Sequence, residues 1–181
     1  MHHMKIKAII ATLALAMATT IASANTPTAP VKNGPDLPSP LCDRLRVDEG
    51  NNLHSQVYAD GVQVYRWDGI SWVFVEPIAT LFGNANYNGK VGKHYVGPTW
   101  ESNSGSKVVG TRMYGCQPDP TAIPWLLLEA VSATGPGIYG SVTYIQRVNT
   151  KGGLAPTAPG SFIGETVQVP YTAEYYFYRE Q

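Results

Sequence analysis

Short stretches of alternating apolar and polar residues, separated by Gly, Pro, Asn and Asp, run from about residue 53 to the end of the chain. Alternation with a period of two is typical of half-buried β-strands. The clearest stretch, Gly61–Trp67, is followed by the tight-turn pair Asp68-Gly69 and by a second apolar run. We predict a hairpin that joins residues 62–67 to residues 71–75. One face of its first strand carries two valines, and the other carries Gln63, Tyr65 and Trp67.

Six further stretches are predicted to be strands: Lys93–Val96, Thr99–Glu101, Lys107–Tyr114, Val142–Val148, Thr166–Val169 and Thr172–Tyr178. The run Trp125–Ala133 is ambiguous, because it is rich in helix formers but short and preceded by Pro124. Its length favours a strand, with a helix as the alternative. Many short strands with turns between them predict an all-β fold. We expect a single-domain antiparallel sandwich, with a β-barrel as the alternative and little helix outside the N-terminal signal segment.

The N-terminus has the three parts of a secretory signal peptide. Lys5 and Lys7 are followed by the apolar run Ala8–Ala18 and by Ala22-Ser23-Ala24, a small-x-small cleavage site. The apolar run is too short for a transmembrane helix, which needs about 20 residues. We expect cleavage after Ala24 and a secreted or periplasmic protein. An N-terminal helix that is never cleaved is the alternative.

Prolines recur through residues 25–40 and favour extended chain over helix. We predict that residues 25–40 are a mobile leader and that residues 41–181 form one β-rich domain. The mature chain would hold 181 − 24 = 157 residues, which is the size of a single domain.

Removal of the signal peptide takes away two of the 13 basic residues and no acidic one, so the formal charge of the mature chain is 11 − 13 = −2. A nearly neutral chain argues against nucleic acid or an anionic membrane surface as the main partner.

The two cysteines are Cys42 and Cys116. In an oxidising compartment an even pair favours a disulfide, with two free thiols as the alternative. A metal site at this pair would lack the further spaced ligands that zinc needs.

Few residues offer catalytic chemistry. The chain has no glycine-rich phosphate loop, no dinucleotide fingerprint and no Gly-x-Ser-x-Gly elbow. Two histidines remain after the signal peptide, too few for a three-histidine metal centre, and we expect no metal or cofactor. His94 lies close in sequence to Trp100 and Glu101, so His94 and Glu101 are candidates for general acid–base catalysis. The alternative is a strand histidine bonded to a neighbouring backbone or side-chain group.

Arg147 lies in the middle of a predicted strand and shares a face with Ile145 and Asn149. A buried arginine needs a carboxylate partner, so we expect an internal glutamate beside it, either Glu174 or Glu101. An anionic ligand is the alternative. Polar and aromatic side chains can also line a site for a small molecule or a sugar, although the same face can be an outer face of the sheet. The candidate binding residues are Gln63, Tyr65, Trp100, Arg147 and Asn149.

Five runs of residues are distinctive together: Gly61–Tyr65, Gly92–Glu101, Ile123–Leu128, Tyr144–Gly153 and Val169–Tyr178. They resemble the domain of unknown function 3455 family of bacteria and fungi. The resemblance implies an exported β-rich protein and no particular reaction. Some members carry a malate dehydrogenase label, which the missing dinucleotide fingerprint does not support. Many members have two further cysteines where this chain has Trp67 and about Ser161, so the resemblance implies that Cys42 and Cys116 form a relocated, structural bridge.

The sequence favours an exported binding or envelope-associated domain without catalytic activity, with an aromatic and polar face for a small molecule or a glycan. The alternative is a metal-independent enzyme that uses His94 and a carboxylate as general acid and base. A purely structural role is a third reading. The two main hypotheses differ in geometry: the enzyme needs His94 beside a glutamate in an open pocket, whereas the binding domain needs aromatic side chains around a concavity.

The signal peptide yields the first prediction. Protein recovered from the export compartment should begin at Asn25, because cleavage follows Ala24. N-terminal sequencing of that material checks it. A sequence that begins at Met1 or Met4 would contradict it.

Overall fold

A computed structural model describes residues 34–181 of the chain. The predicted signal peptide and residues 25–33 of the predicted leader lie outside the described residues. Within residues 34–181 no helix has the length and apolar character needed to cross a membrane. The described chain contains one short 3₁₀ helix, Asp43–Leu45, and eight strands: β1 Asn51–Trp67, β2 Trp72–Phe82, β3 Lys90–Tyr95, β4 Thr99–Ser102, β5 Lys107–Cys116, β6 Trp125–Thr134, β7 Tyr144–Gly152 and β8 Thr166–Glu180.

Each strand pairs antiparallel with the next one, and the last strand returns to pair with the first. The β1–β8 register runs from Asn51 opposite Glu180 to Arg66 opposite Thr166. The all-β prediction is therefore confirmed, and the eight strands form one sheet closed into a barrel, which was the alternative to the expected sandwich. Alternation could not separate the two architectures, because strands of both have one inner and one outer face.

The predicted hairpin is confirmed, with Trp67 opposite Trp72 and Val62 opposite Ile78. Its turn is held by Asp68, whose Oδ1 accepts the backbone N–H groups of Ile70 and Ser71, both at 2.8 Å. The first strand extends back to Asn51, well before the predicted start. The ambiguous run around Trp125–Ala133 is a strand, as favoured.

The inside of the barrel is packed with aromatic and aliphatic side chains. Gln63 and Tyr65 are buried, whereas the two valines beside them are only partly buried, so the polar and aromatic face of β1 is its inner face. Tyr139, from the connection between β6 and β7, is fully buried against Phe177, with 4.7 Å between the ring centroids. It fills the interior at the end where β4 and β6 finish.

A second core lies on the outer side of the sheet, beneath the N-terminal segment, which we define as residues 34–47. Its buried members are Cys42, Leu45, Cys116, Trp125, Leu127, Val148, Tyr176 and Tyr178. Leu37, from the predicted leader, packs against the same cluster. Gln146 joins the segment to the sheet, because its Nε2 donates to the Leu45 carbonyl and its Oε1 accepts from the Tyr178 hydroxyl, both at 2.6 Å. The two cores explain why the end of β8 is buried on both faces.

The predicted disulfide is present. Cys42 and Cys116 are bonded, with their Cα atoms 5.4 Å apart and a sequence separation of 74. The bond ties the N-terminal segment to the end of β5. In the chain-entropy model, closing a loop of this length stabilises a fold by about 4 kcal/mol.

We expect the double variant Cys42→Ser with Cys116→Ser to lose about 4 kcal/mol of unfolding free energy, because the unfolded chain regains the freedom of the loop. Urea denaturation of the mature protein measures the loss. The bond itself is checked by alkylation and intact mass, which should show two thiols only after reduction. Two thiols that alkylate in exported, unreduced protein would contradict it.

Candidate functional site

A cavity of about 300 Å³ opens at the barrel end opposite Tyr139, where the even-numbered strands begin. This volume lies at the lower end of the range of small-molecule sites. Every strand except β1 contributes to the wall. The apolar and aromatic wall residues are Phe74, Val75, Pro77, Pro98, Trp100, Leu126, Leu128 and Tyr175, and the polar ones are His94, Thr111, Arg112 and Arg147. None of the described wall residues is acidic.

An aromatic stack forms part of this wall. The His94 and Trp100 rings lie parallel, with centroids 4.3 Å apart and planes inclined by 15°. Tyr175 meets both rings at 5.2 Å, and it meets Trp100 edge-on. All three side chains are buried, so the stack is a rigid surface that holds its shape.

His94 is held as a neutral imidazole. Its Nδ1 lies 2.9 Å from the Thr99 carbonyl oxygen. A carbonyl only accepts hydrogen bonds, so Nδ1 carries the proton and Nε2 is left as an acceptor. Burial lowers the pKa of His94 to about 3, a shift that the Thr99 bond opposes and the positive charge of Arg147 reinforces. A histidine with this pKa cannot exchange protons readily near neutral pH.

Glu101, the proposed partner of His94, lies on the outer face of the sheet. It accepts a hydrogen bond from the Tyr95 hydroxyl at 2.7 Å and pairs with Lys93 at 3.5 Å and Lys107 at 3.4 Å. The Tyr95 bond, followed by the two lysine charges, holds the pKa of Glu101 below its ordinary value. In β4 the inward-facing neighbour of Glu101 is Trp100, which stacks on His94. The structure therefore places the two candidate catalytic residues on opposite sides of the barrel wall.

Arg147 lies on the inner face of β7, but the glutamate expected beside it is absent. Its Nε and Nη2 atoms donate to the Pro124 carbonyl oxygen, at 3.1 and 2.8 Å. Glu101 is engaged outside the barrel, and Glu174 accepts from Gln56 at 2.8 Å and from Tyr176 at 2.9 Å. None of the ion pairs found within residues 34–181 includes Arg147. The predicted pairing is wrong because both glutamates belong to the opposite face of their strands.

The charge of Arg147 acts on the hydroxyl groups inside the barrel. Burial raises the pKa values of Tyr65, Tyr171 and Tyr175, and in each case the positive charge of Arg147 opposes the rise. Arg147 also favours the neutral form of His94. The positive charge of Arg147 therefore acts on several neutral groups beside the cavity.

The predicted binding residues do not all lie at the cavity. Trp100 and Arg147 line the cavity. Gln63 and Tyr65 are buried in the interior, where the Tyr65 hydroxyl donates to the Gly153 carbonyl at 2.6 Å and its ring meets that of Phe74 at 5.8 Å. Asn149 is not part of this group.

Asn149 departs from the face that it was expected to share with Arg147. It has a positive φ of 51° and is exposed. The β7–β8 register shifts between Val148 and Lys151, which marks an irregularity that breaks the simple alternation. Asn149 lines instead a shallow depression with Gly34, Pro35, Asp36 and Tyr176.

The sequence analysis missed Arg112, Phe74 and Tyr175 as wall residues. A signal for Arg112 was present, because Val108, Gly110 and Arg112 alternate on one face of β5. Gly110 gives room there, since a Cβ atom at this position would lie 3.3 Å from both Leu128 and Trp100. Phe74 is half exposed on β2, and the hydrophobic pattern alone did not show that it borders an opening.

Comparison with known proteins identifies a family for this chain. Residues 48–179 match the family described as protein of unknown function (DUF3455). The chain belongs to this family. No curated protein matches the DUF3455 chain, and no solved structure matches it. The matched region begins after Cys42, so one half of the disulfide lies outside it.

Within residues 34–181 no three side chains of the His, Cys, Asp and Glu types are grouped closely enough to hold a metal ion. Trp67, where the resemblance places a cysteine in other members, lies against Gly160, since a Cβ on Gly160 would be 2.6 Å from the Trp67 ring. Trp67 and Gly160, the residue before Ser161, are thus adjacent in the fold.

The buried, neutral His94 yields a pH prediction. Its folded-state pKa of about 3 lies below the ordinary value of 6.5, so the unfolded chain binds a proton that the folded protein excludes. The contribution of neutral His94 to the unfolding free energy is complete above pH 6.5, and it is lost as the pH falls towards 3. Between pH 7 and pH 5 the unfolding free energy should fall by about 2 kcal/mol through this residue.

The variant His94→Phe keeps a ring against Trp100 but has no proton to exclude. Urea denaturation should show that its unfolding free energy falls by about 2 kcal/mol less between pH 7 and pH 5 than that of the native protein. His54→Gln is the control, since His54 is only partly buried and should leave the His94 contribution in place. Equal pH dependence in His94→Phe and the native protein would contradict the assignment.

Proposed function

We propose that this DUF3455 protein is an exported, non-catalytic binding protein that holds one small molecule in the open end of its barrel. The cavity with its rigid His94–Trp100–Tyr175 stack is the observation that carries the proposal. Eight-stranded barrels are of a size that can enclose one small ligand, and barrel mouths are frequent ligand sites.

A small molecule with an apolar body fits this cavity better than a glycan. Sugars present many hydroxyl groups, and a site that recognises them needs several polar acceptors and donors. The described wall contains no Asp, Glu, Asn or Gln side chain. Most of the wall is aromatic or aliphatic, which favours an apolar surface on the ligand.

Binding without catalysis is supported by the chemistry of the wall. The one imidazole there is neutral, buried and fixed to the Thr99 carbonyl. The candidate catalytic carboxylate, Glu101, is engaged by two lysines on the other side of the sheet. The disulfide between Cys42 and Cys116 supports export, because such bonds persist in oxidising compartments.

The cavity can be tested with N-phenyl-1-naphthylamine, a neutral aromatic probe whose fluorescence rises in apolar sites. The native protein should bind one equivalent. Phe74→Ala should weaken binding about fivefold, because part of one aromatic contact worth about 1 kcal/mol is removed. Its melting temperature should change little, since Phe74 is 49% exposed.

Phe162→Ala is the matched control, because Phe162 is also exposed, at 64%, and does not line the cavity. It should bind the probe as the native protein does. Absence of saturable binding by the native protein would refute the proposed function. Equal losses in the two variants would place the probe elsewhere on the surface.

A further inference from the structure

Two arginines, and no acidic residue, line the cavity. Arg147 projects from the inner face of β7, and Arg112 lies on β5. Across residues 34–181 neither guanidinium has an ion-pair partner. Arginine stays charged in proteins, so the wall carries two positive charges that the described side chains do not neutralise.

The contacts of Arg147 leave its charge uncompensated. Two of its five N–H donors are used on the Pro124 carbonyl, which is a neutral acceptor. The positive charge of Arg147 acts on His94, Tyr65, Tyr171 and Tyr175, and all four of these groups are neutral near pH 7. A partly buried cation among neutral groups costs free energy unless an anion approaches it.

The aromatic wall supplies a second observation. The His94 and Trp100 rings lie parallel, with 4.3 Å between their centroids, and both side chains are buried. Such a flat, rigid surface favours an apolar or aromatic body on the ligand.

We infer that the ligand is a small organic anion, with one carboxylate or sulfonate-like group that binds Arg147 and an apolar or aromatic body that packs on the His94–Trp100 stack. The inference rests on the proposed function and names the class of its ligand. Arg112, which is more exposed, adds a weaker and more easily screened attraction at the mouth. A glutamate beside Arg147 would have neutralised its charge without a ligand. Both candidate glutamates, Glu101 and Glu174, lie instead on the outer face of the sheet.

The test compares two fluorescent probes that differ by one sulfonate group, N-phenyl-1-naphthylamine and 1-anilinonaphthalene-8-sulfonate. The native protein should bind the sulfonate at least about tenfold more tightly, the ordinary gain from a charge-assisted hydrogen bond. In Arg147→Gln this preference, which is the ratio of the two affinities, should disappear. Arg112→Gln should reduce the preference by a smaller factor.

Near-ultraviolet circular dichroism establishes that each variant is folded, since the sulfonate probe also binds disordered chains. If Arg147→Gln does not fold, competition in the native protein decides: benzoate should displace the sulfonate probe at a concentration at least about tenfold lower than its neutral isostere benzamide.

The outcomes are distinguishable. No saturable binding of either probe would overturn the proposed function and this inference with it. Binding of the neutral probe without any preference for the anion, or equal potency of benzoate and benzamide, would overturn the inference alone. A preference that persists in folded Arg147→Gln would overturn the assignment of the anion to Arg147.

Discussion

Pairing between the first and the last strand closes the sheet, and the rest of the structure depends on that contact. The β1–β8 ladder joins residues from the two ends of the domain along most of both strands, from Asn51 to Arg66 on β1. Once the sheet is closed, the side chains of each strand face either the inside of the barrel or the outside. Tyr139 fills the interior at one end, and the cavity opens at the other end.

Closure also determines the electrostatics of the opening. Successive side chains of a strand alternate between the two faces, so a carboxylate next to an inward aromatic residue must point outward. Glu101 follows Trp100, and Glu174 precedes Tyr175, and both glutamates are bonded on the outer surface. Arg147 instead lies at an inward-facing position of β7 and lines the cavity. The same alternation that builds the aromatic wall therefore separates the internal cation from both of its expected partners.

Local features of the fold could be predicted from sequence, whereas the relations between distant elements could not. The Asp68 turn, the strand at Trp125 and the disulfide follow from short-range pattern and chemistry. Closure could not be predicted, because no local property of β1 or β8 says that they pair. The site was predictable in part: His94, Trp100 and Arg147 were singled out, but the face of each residue relative to the others requires the register. Asn149 shows the limit, since one irregularity in β7 reverses the expected alternation.

The two sides of the cavity differ in how they are supported, and this difference bears on recognition. Behind β6 and β7 stands the outer core, where Leu127 and Val148 pack beneath the N-terminal segment that the disulfide anchors. Arg147 is fixed to that side by its two bonds to Pro124. On the opposite side Phe74 and Val75 are partly exposed on β2. A rigid side suits the fixed geometry that a charged group requires, while an open aromatic and aliphatic side can adjust to ligand bodies of different shape. Selection for charge and tolerance for shape would then come from separate strands of the same wall.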